Sequence, residues 1–237
     1  MSLQAEIELL TEEECDRAHH AVHELRERWI RRQEGVPFFT LGAAAYLDAT
    51  KDRFGSYIER ARNENPVLKR SFGWLHQRLL EAVSGTVAAP CTMHPRLALP
   101  GFHIFLGHPS FARPVASKHF DLQYQAIDWS GIGAPDPTRQ LSITLPIRVP
   151  SGGAALRVWN VSWDELRDAD RDTRRRLAAA NRQAASHAYR PGVVVVHSGH
   201  VLHQIAPFVE PTPDDERLTM QAHALPVDDG DRWIVYW

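Results

Sequence analysis

The stretch Lys118-His119-Phe120-Asp121-Leu122-Gln123 places an imidazole and a carboxylate two residues apart. On a strand, alternate side chains point the same way, so His119, Asp121, Gln123 and Gln125 would share one face. Two imidazoles and one carboxylate on one face of an octahedron leave three positions open. That donor set suits non-haem iron. A lone H-x-D says little in a chain with 13 histidines. The second imidazole has to come from a later strand.

His197, His200 and His203 stand close together after Val193-Val194-Val195-Val196. A β-hairpin between 193–197 and 201–206, turning at Ser198-Gly199, would put His200 at the turn and His203 well inside the second strand. His203 is the best fit for the missing ligand, with His197 in reserve. Arg217 and Thr219 follow, again two apart, and on a strand both would face one way. A guanidinium grips a carboxylate through two parallel hydrogen bonds, and a neighbouring hydroxyl adds a donor. Arg217 lies fourteen residues after His203, across the loop 207–216.

The order His119, Asp121, His203, Arg217, Thr219 resembles that of the Fe(II)- and 2-oxoglutarate-dependent oxygenases. Two flanking segments are similar as well. Ser151-Gly152-Gly153-Ala154-Ala155-Leu156 looks like the Gly-Gly turn between central strands, and Pro191-Gly192-Val193-Val194-Val195-Val196 like the strand before the distal histidine. The resemblance covers residues 97–237. It implies a double-stranded β-helix in which His119, Asp121 and His203 hold Fe(II). The keto and C1 carboxylate oxygens of 2-oxoglutarate would complete the chelate, its far carboxylate would pair with Arg217 and Thr219, and O2 would take the last position. Succinate and CO2 would leave as an unactivated C–H bond is hydroxylated, desaturated or cyclised. Related halogenases carry Gly or Ala at the carboxylate position, so Asp121 favours oxygenation. His197 departs from the family's usual apolar or aromatic residue.

The elements that must position these residues fall into two parts. Thr11 and Glu14 form a capping box, and Cys15, Ala18, Val22, Leu25 and Trp29 recur at helical spacing. One or two short helices are expected over 41–63. Asn65-Pro66 is expected to open another, with Leu68, Phe72, Leu75, Leu79 and Val83 as its apolar stripe and Gly85 as its stop. After Pro90, Pro95 and Pro100 the pattern turns to short strands, expected over 102–106, 116–127, 141–149, 154–161, 193–197, 201–206, 217–225 and 233–237. Ser162 and Glu165 cap a further helix running to about residue 185. The fold class is therefore mainly β with N-terminal helices (α+β): a jelly-roll barrel over 97–237 covered by a mostly helical segment 1–85, within one domain spanning 1–237.

Composition limits the partners. A net charge of −2 gives no basic field for nucleic acid or a membrane surface, and a small-molecule substrate is what the resemblance implies. Cys15 and Cys91, outside any CxxC, predict a reducing, cytoplasmic setting, and the N-terminus lacks the basic start and apolar run of a signal peptide. His103 and Phe105, Gln123, Trp159 and Trp233 are candidates for the substrate pocket. Arg148 and Arg157 are candidates for a substrate carboxylate. An amino acid or natural-product intermediate is expected by analogy. Two other classes compete: a cupin-like metal enzyme without 2-oxoglutarate, which leaves Arg217 and Thr219 without a role, and a non-catalytic β-barrel binding module, which leaves an inward Asp121 unexplained.

Overall fold

A computed structural model of the chain describes residues 3–49, 54–114, 116–180 and 183–237. Residues 50–53, within the helical expectation over 41–63, and 181–182, within that over 162–185, lie outside the described residues.

Among the described residues, twelve strands and five α-helices follow in the order β1 Leu3–Glu8, α1 Glu12–Glu24, β2 Ile30–Arg31, β3 Phe38–Leu41, α2 Ala45–Asp48, α3 Phe54–Val87, β4 Cys91–Met93, β5 Gly101–Leu106, β6 Leu141–Arg148, β7 Ala155–Ser162, α4 Trp163–Arg167, α5 Arg171–Ala180, β8 Ala185–Ala188, β9 Val193–Ser198, β10 Val201–Ile205, β11 Glu216–Val227 and β12 Arg232–Tyr236. The large sheet runs β1-β9-β6-β11-β5-β3-β2, with β12 and β4 branching from β11. The small sheet is β10-β7-β8. The first 85 residues are thus not only helical. In β1, Ala5 and Ile7 alternate with exposed Gln4, Glu6 and Glu8, the period-2 signature of a half-buried strand, and β1 pairs with β9.

The helices back the large sheet. In α3, Leu68, Phe72, Leu75, Leu79 and Val83 are fully buried against Phe102, Leu145, Leu218 and Met220 in one core cluster. The helix continues straight through Pro66 and does not begin there. A mid-helix proline loses one backbone hydrogen bond, and this uninterrupted apolar stripe offsets that loss. Asn65 serves a tertiary role: it donates to the Leu97 carbonyl at 2.8 Å and accepts from Leu99 N at 3.0 Å. The left-handed stop is Ala88, with φ 52°, three residues beyond Gly85.

His76 lies on the buried face of α3 and donates to the Pro100 carbonyl at 2.9 Å. Burial pulls its pKa down from 6.5 to about 4. The unfolded chain takes up this proton as pH falls through about 6.5 while the folded chain excludes it. Stability from this group is therefore full above pH 6.5 and declines towards pH 4. In His76→Gln, urea unfolding should show a shallower fall in stability across that window. The difference should reach up to about 3 kcal/mol, at 1.36 kcal/mol per pKa unit.

Two departures in the β region shape the site. Residues 193–206 do not form a hairpin. β9 pairs with β6 and β1 in the large sheet, whereas β10 pairs with β7 in the small one, so the chain changes sheet at Ser198–His200. Residues 116–127 are not a strand either. Only His119 bridges, to His203, and the chain then turns into a 3-10 helix at Gln123–Ala126. The helix after Ser162 breaks into α4 and α5, and Asp170 caps the second by accepting from Thr173 N at 2.7 Å. At the Gly-Gly turn, Gly153 has φ 95°, and a Cβ there would stand 2.3 Å from the Pro207 carbonyl oxygen. Only glycine fits this approach of the β6–β7 turn to the loop before β11. Among the described residues no helix is long and apolar enough to cross a membrane.

Candidate metal and carboxylate site

The segment carrying His119 and Asp121 is pinned along β10 by three backbone hydrogen bonds. His119 and His203 exchange two at 3.0 Å, and Asp121 N donates to the Gly199 carbonyl at 2.8 Å. This anchoring brings the three side chains together from opposite sides of the sheet change. His203 Nε2 is 3.3 Å from Asp121 Oδ2, His119 Nε2 is 3.8 Å from Asp121 Oδ1, and all three donor atoms lie within 4.8 Å of one another.

The imidazoles are oriented for this. His119 Nδ1 sits 2.8 Å from the Ser117 carbonyl and His203 Nδ1 2.8 Å from the Val201 carbonyl. A carbonyl only accepts, so each Nδ1 carries a hydrogen and each Nε2 faces Asp121. Ser142, on β6, donates its hydroxyl to Asp121 Oδ2 at 2.5 Å. Burial opposes ionisation of Asp121, yet the adjacent His203 holds its carboxyl well below the usual range. Burial likewise disfavours charged His203, and Asp121 more than offsets this, raising the His203 pKa. A divalent cation at this spot would displace that proton while keeping every orienting hydrogen bond.

These groups open on a cavity of about 610 Å³. Its lining includes Phe38, Tyr46, His103, Phe105, Phe120, Gln123, Tyr189, His197, Gln221, His223 and Trp237. His103, Gln123 and Phe105, expected in the pocket, are there. His103 shares a hydrogen bond of 2.7 Å with the Tyr46 hydroxyl, and its buried Nδ1 has no partner among the described residues. Trp159 and Trp233 are not in the lining. Leu156, three positions earlier on β7, faces the cavity, so Trp159 falls on the other face, where Lys118 covers its ring at 4.3 Å. Trp233 packs into the core cluster behind the large sheet, and Trp237 takes the cavity position at the chain's end. Arg148 is also elsewhere, 3.5 Å from Asp16, and Arg157 is not in the lining. His200 turns to the Tyr124 hydroxyl at 3.0 Å. His197 lines the cavity beside His203, ring centroids 4.7 Å apart, but is not among the three clustered donors. Burial lowers the His197 pKa to about 3 and keeps it neutral.

Strand β11 supplies Gln221 and His223 to the cavity lining, whereas Arg217 and Thr219, at the same parity, are not in that lining. Leu218, Met220, Ala222 and Ala224 face the core, and Arg217, Thr219, Gln221 and His223 take the opposite parity. Arg217 is 1% exposed, with its guanidinium 4.1 Å from the Phe105 ring centroid and 5.4 Å from that of Phe208. Its Nη1 donates to the Ala206 carbonyl at 3.1 Å. Nε and Nη2 are buried with no partner among the described residues. Burial lowers its pKa to about 10, so it stays charged at neutral pH. Thr219 accepts from Gln221 Nε2 at 2.9 Å, and Gln221 accepts from Thr144 at 3.0 Å. This relay uses one Thr219 lone pair and leaves its hydroxyl hydrogen to donate. Ser142, Thr144, Tyr189, Gln221 and His223 were not singled out from the sequence. The parity set by Arg217 and Thr219 already pointed to Gln221 and His223.

No family model matches the chain, and no curated protein does. Solved structures do. The non-heme alpha-ketoglutarate-dependent epimerase SnoN from nogalamycin biosynthesis aligns with a TM-score of 0.52 at 13% identity, covering 94% of this chain and 80% of its own. EctD from S. alaskensis, solved with bound Fe, aligns with a TM-score of 0.51 at 12% identity, covering 96% of this chain and 75% of its own. At these identities the likeness speaks for the fold alone: the chain shares the double-stranded β-helix fold of these structures.

Proposed function

We propose that this protein is an Fe(II)- and 2-oxoglutarate-dependent oxygenase acting on a small molecule. His119, Asp121 and His203 would hold the iron, and Arg217 with Thr219 the far carboxylate of 2-oxoglutarate. The observation that carries this reading is the buried Arg217 guanidinium, with two nitrogens lacking partners among the described residues. An unpaired buried charge is costly, and a planar carboxylate satisfies it bidentately. Neither a cupin-like enzyme without 2-oxoglutarate nor a barrel binding module gives that group a partner.

Bound iron would supply the redox chemistry that couples oxidative decarboxylation of 2-oxoglutarate to attack on a substrate C–H bond. The chain's own residues orient and exclude. Ser142 fixes the Asp121 carboxylate, and the Ser117 and Val201 carbonyls fix the two imidazoles. Phe38, Phe105 and Trp237 make an apolar wall that limits water, and His103 offers a polar contact through Nδ1. Apart from Asp121, no acidic or basic side chain other than histidine is in the cavity lining among the described residues. The lining sets Phe38, Phe105, Phe120 and Trp237 beside His103, Gln123 and Gln221, which favours a small molecule with both apolar and hydrogen-bonding groups, such as an amino acid or a natural-product intermediate.

The test is a substrate screen read by 2-oxoglutarate-dependent succinate release with Fe(II) and ascorbate. Amino acids and natural-product scaffolds are screened side by side, and at least one should elicit succinate. The reading fails if no compound elicits succinate and 2-oxoglutarate does not raise the melting temperature of the Fe(II)-loaded protein.

A further inference from the structure

A second cluster of metal-ligand side chains lies outside the barrel, unused by the chemistry above. His19 and His23 stand one turn apart on α1, and both turn Nε2 to Glu216, the first residue of β11. His19 Nε2 is 2.7 Å from Glu216 Oε2, His23 Nε2 is 2.9 Å from Oε1, and the two rings are 4.4 Å apart. The three donor atoms fall within 4.8 Å of one another. The side chains are 25%, 30% and 14% exposed, so the cluster is partly enclosed yet reachable from solvent.

The setting is rigid. Residues Cys15, Ala18 and Val22 bury the inner face of α1. The edge of Trp29 closes one side of His23 at 5.0 Å, and Trp29 is itself tied to the Val22 carbonyl at 3.0 Å. Neighbouring acids on the helix are engaged elsewhere: Glu14 with Arg78 at 2.6 Å, Asp16 with Arg148 at 3.5 Å. Glu216 meets the two imidazoles instead of an arginine.

We propose that His19, His23 and Glu216 form a second cation site, for a divalent ion of the zinc class. Two imidazoles four residues apart on a helix, plus one carboxylate, give three ligands of a tetrahedron, with water as the fourth. Ligands about 2.0–2.1 Å from zinc sit roughly 3.3 Å from each other, and the three donor atoms, now within 4.8 Å of one another, would draw to that spacing around the ion. The ion takes the place of the protons that now join ring and carboxylate. It clamps α1 to the start of β11, one residue from Arg217 but on the strand's other face. Occupancy therefore stabilises the fold, since an ion that binds only the folded chain raises its melting temperature.

The probe is zinc alone, added to metal-stripped protein, with bound zinc counted after gel filtration. The cavity triad offers zinc a competing donor set, so Asp121→Ala serves as the background. That variant should retain one zinc per chain and melt several degrees higher with it. Adding His19→Asn and His23→Asn should remove both effects. Glu216→Gln, which keeps shape and hydrogen-bonding capacity, should weaken this zinc at least tenfold and cost wild-type protein one equivalent. The proposal is overturned if Asp121→Ala binds no zinc, or if substitutions at 19, 23 and 216 leave its zinc unchanged while circular dichroism shows an intact fold. In either case the three residues form a hydrogen-bonded clasp only.

Discussion

Arg217→Met should lower affinity for 2-oxoglutarate about thirtyfold or more while leaving the ligand-free protein as stable as before, or more so. Truncating one partner of a buried charge pair costs about 2–5 kcal/mol, and each 1.4 kcal/mol is a factor of ten. That cost applies only when the anion is bound. Without it, Arg217 is a buried cation with a single hydrogen bond among the described residues, to the Ala206 carbonyl, wedged between Phe105 and Phe208. Methionine of similar length would fill the space with no charge to desolvate, and such replacements are often neutral or stabilising. Opposite signs for binding and stability mark a residue kept for a ligand. Anaerobic titration by calorimetry and urea unfolding without ligand read the two. Unchanged affinity would place the 2-oxoglutarate carboxylate elsewhere.

Asp121→Ala should abolish turnover and reduce Fe(II) affinity by orders of magnitude. Asp121 is the one anionic donor of the three and stands between the two imidazoles, 3.3 Å from His203 Nε2 and 3.8 Å from His119 Nε2. Its loss leaves two neutral nitrogens and strips the Ser142 hydroxyl of its acceptor. Iron affinity is measured by anaerobic equilibrium dialysis, turnover by succinate release. Undiminished turnover would remove Asp121 from the metal site.

The convergence of His119, Asp121 and His203 was legible because side-chain chemistry limits the choice more tightly than local structure does. His119, Asp121 and His203 converge although two elements drawn to carry them do not exist. Residues 116–127 alternate polar and apolar as a strand would, but only the bridge at His119 pairs, and Phe120 and Leu122 line the cavity as well. Alternation without a lasting partner does not make a strand. The hairpin expected at Ser198-Gly199 was a local inference. The chain instead changes sheets there, because Val193–Ser198 finds partners on both sides, in β1 and β6. The N-terminal strand was readable in the alternation of residues 3–8, yet its partner lies almost two hundred residues away, beyond any local signal. Trp159 and Trp233 were chosen as large aromatics. Strand parity decides which face such a residue occupies, and Leu156 in the lining puts Trp159 outside.

The most direct measurement is the visible spectrum of the protein with Fe(II) and 2-oxoglutarate in the absence of oxygen. Chelation of 2-oxoglutarate by iron held at His119, Asp121 and His203 predicts a weak charge-transfer band that saturates with 2-oxoglutarate. The band should be lost in His203→Ala and should need far more 2-oxoglutarate in Arg217→Met. No band in the folded wild-type protein, or a band indifferent to both substitutions, would contradict the assignment of iron and 2-oxoglutarate to these residues.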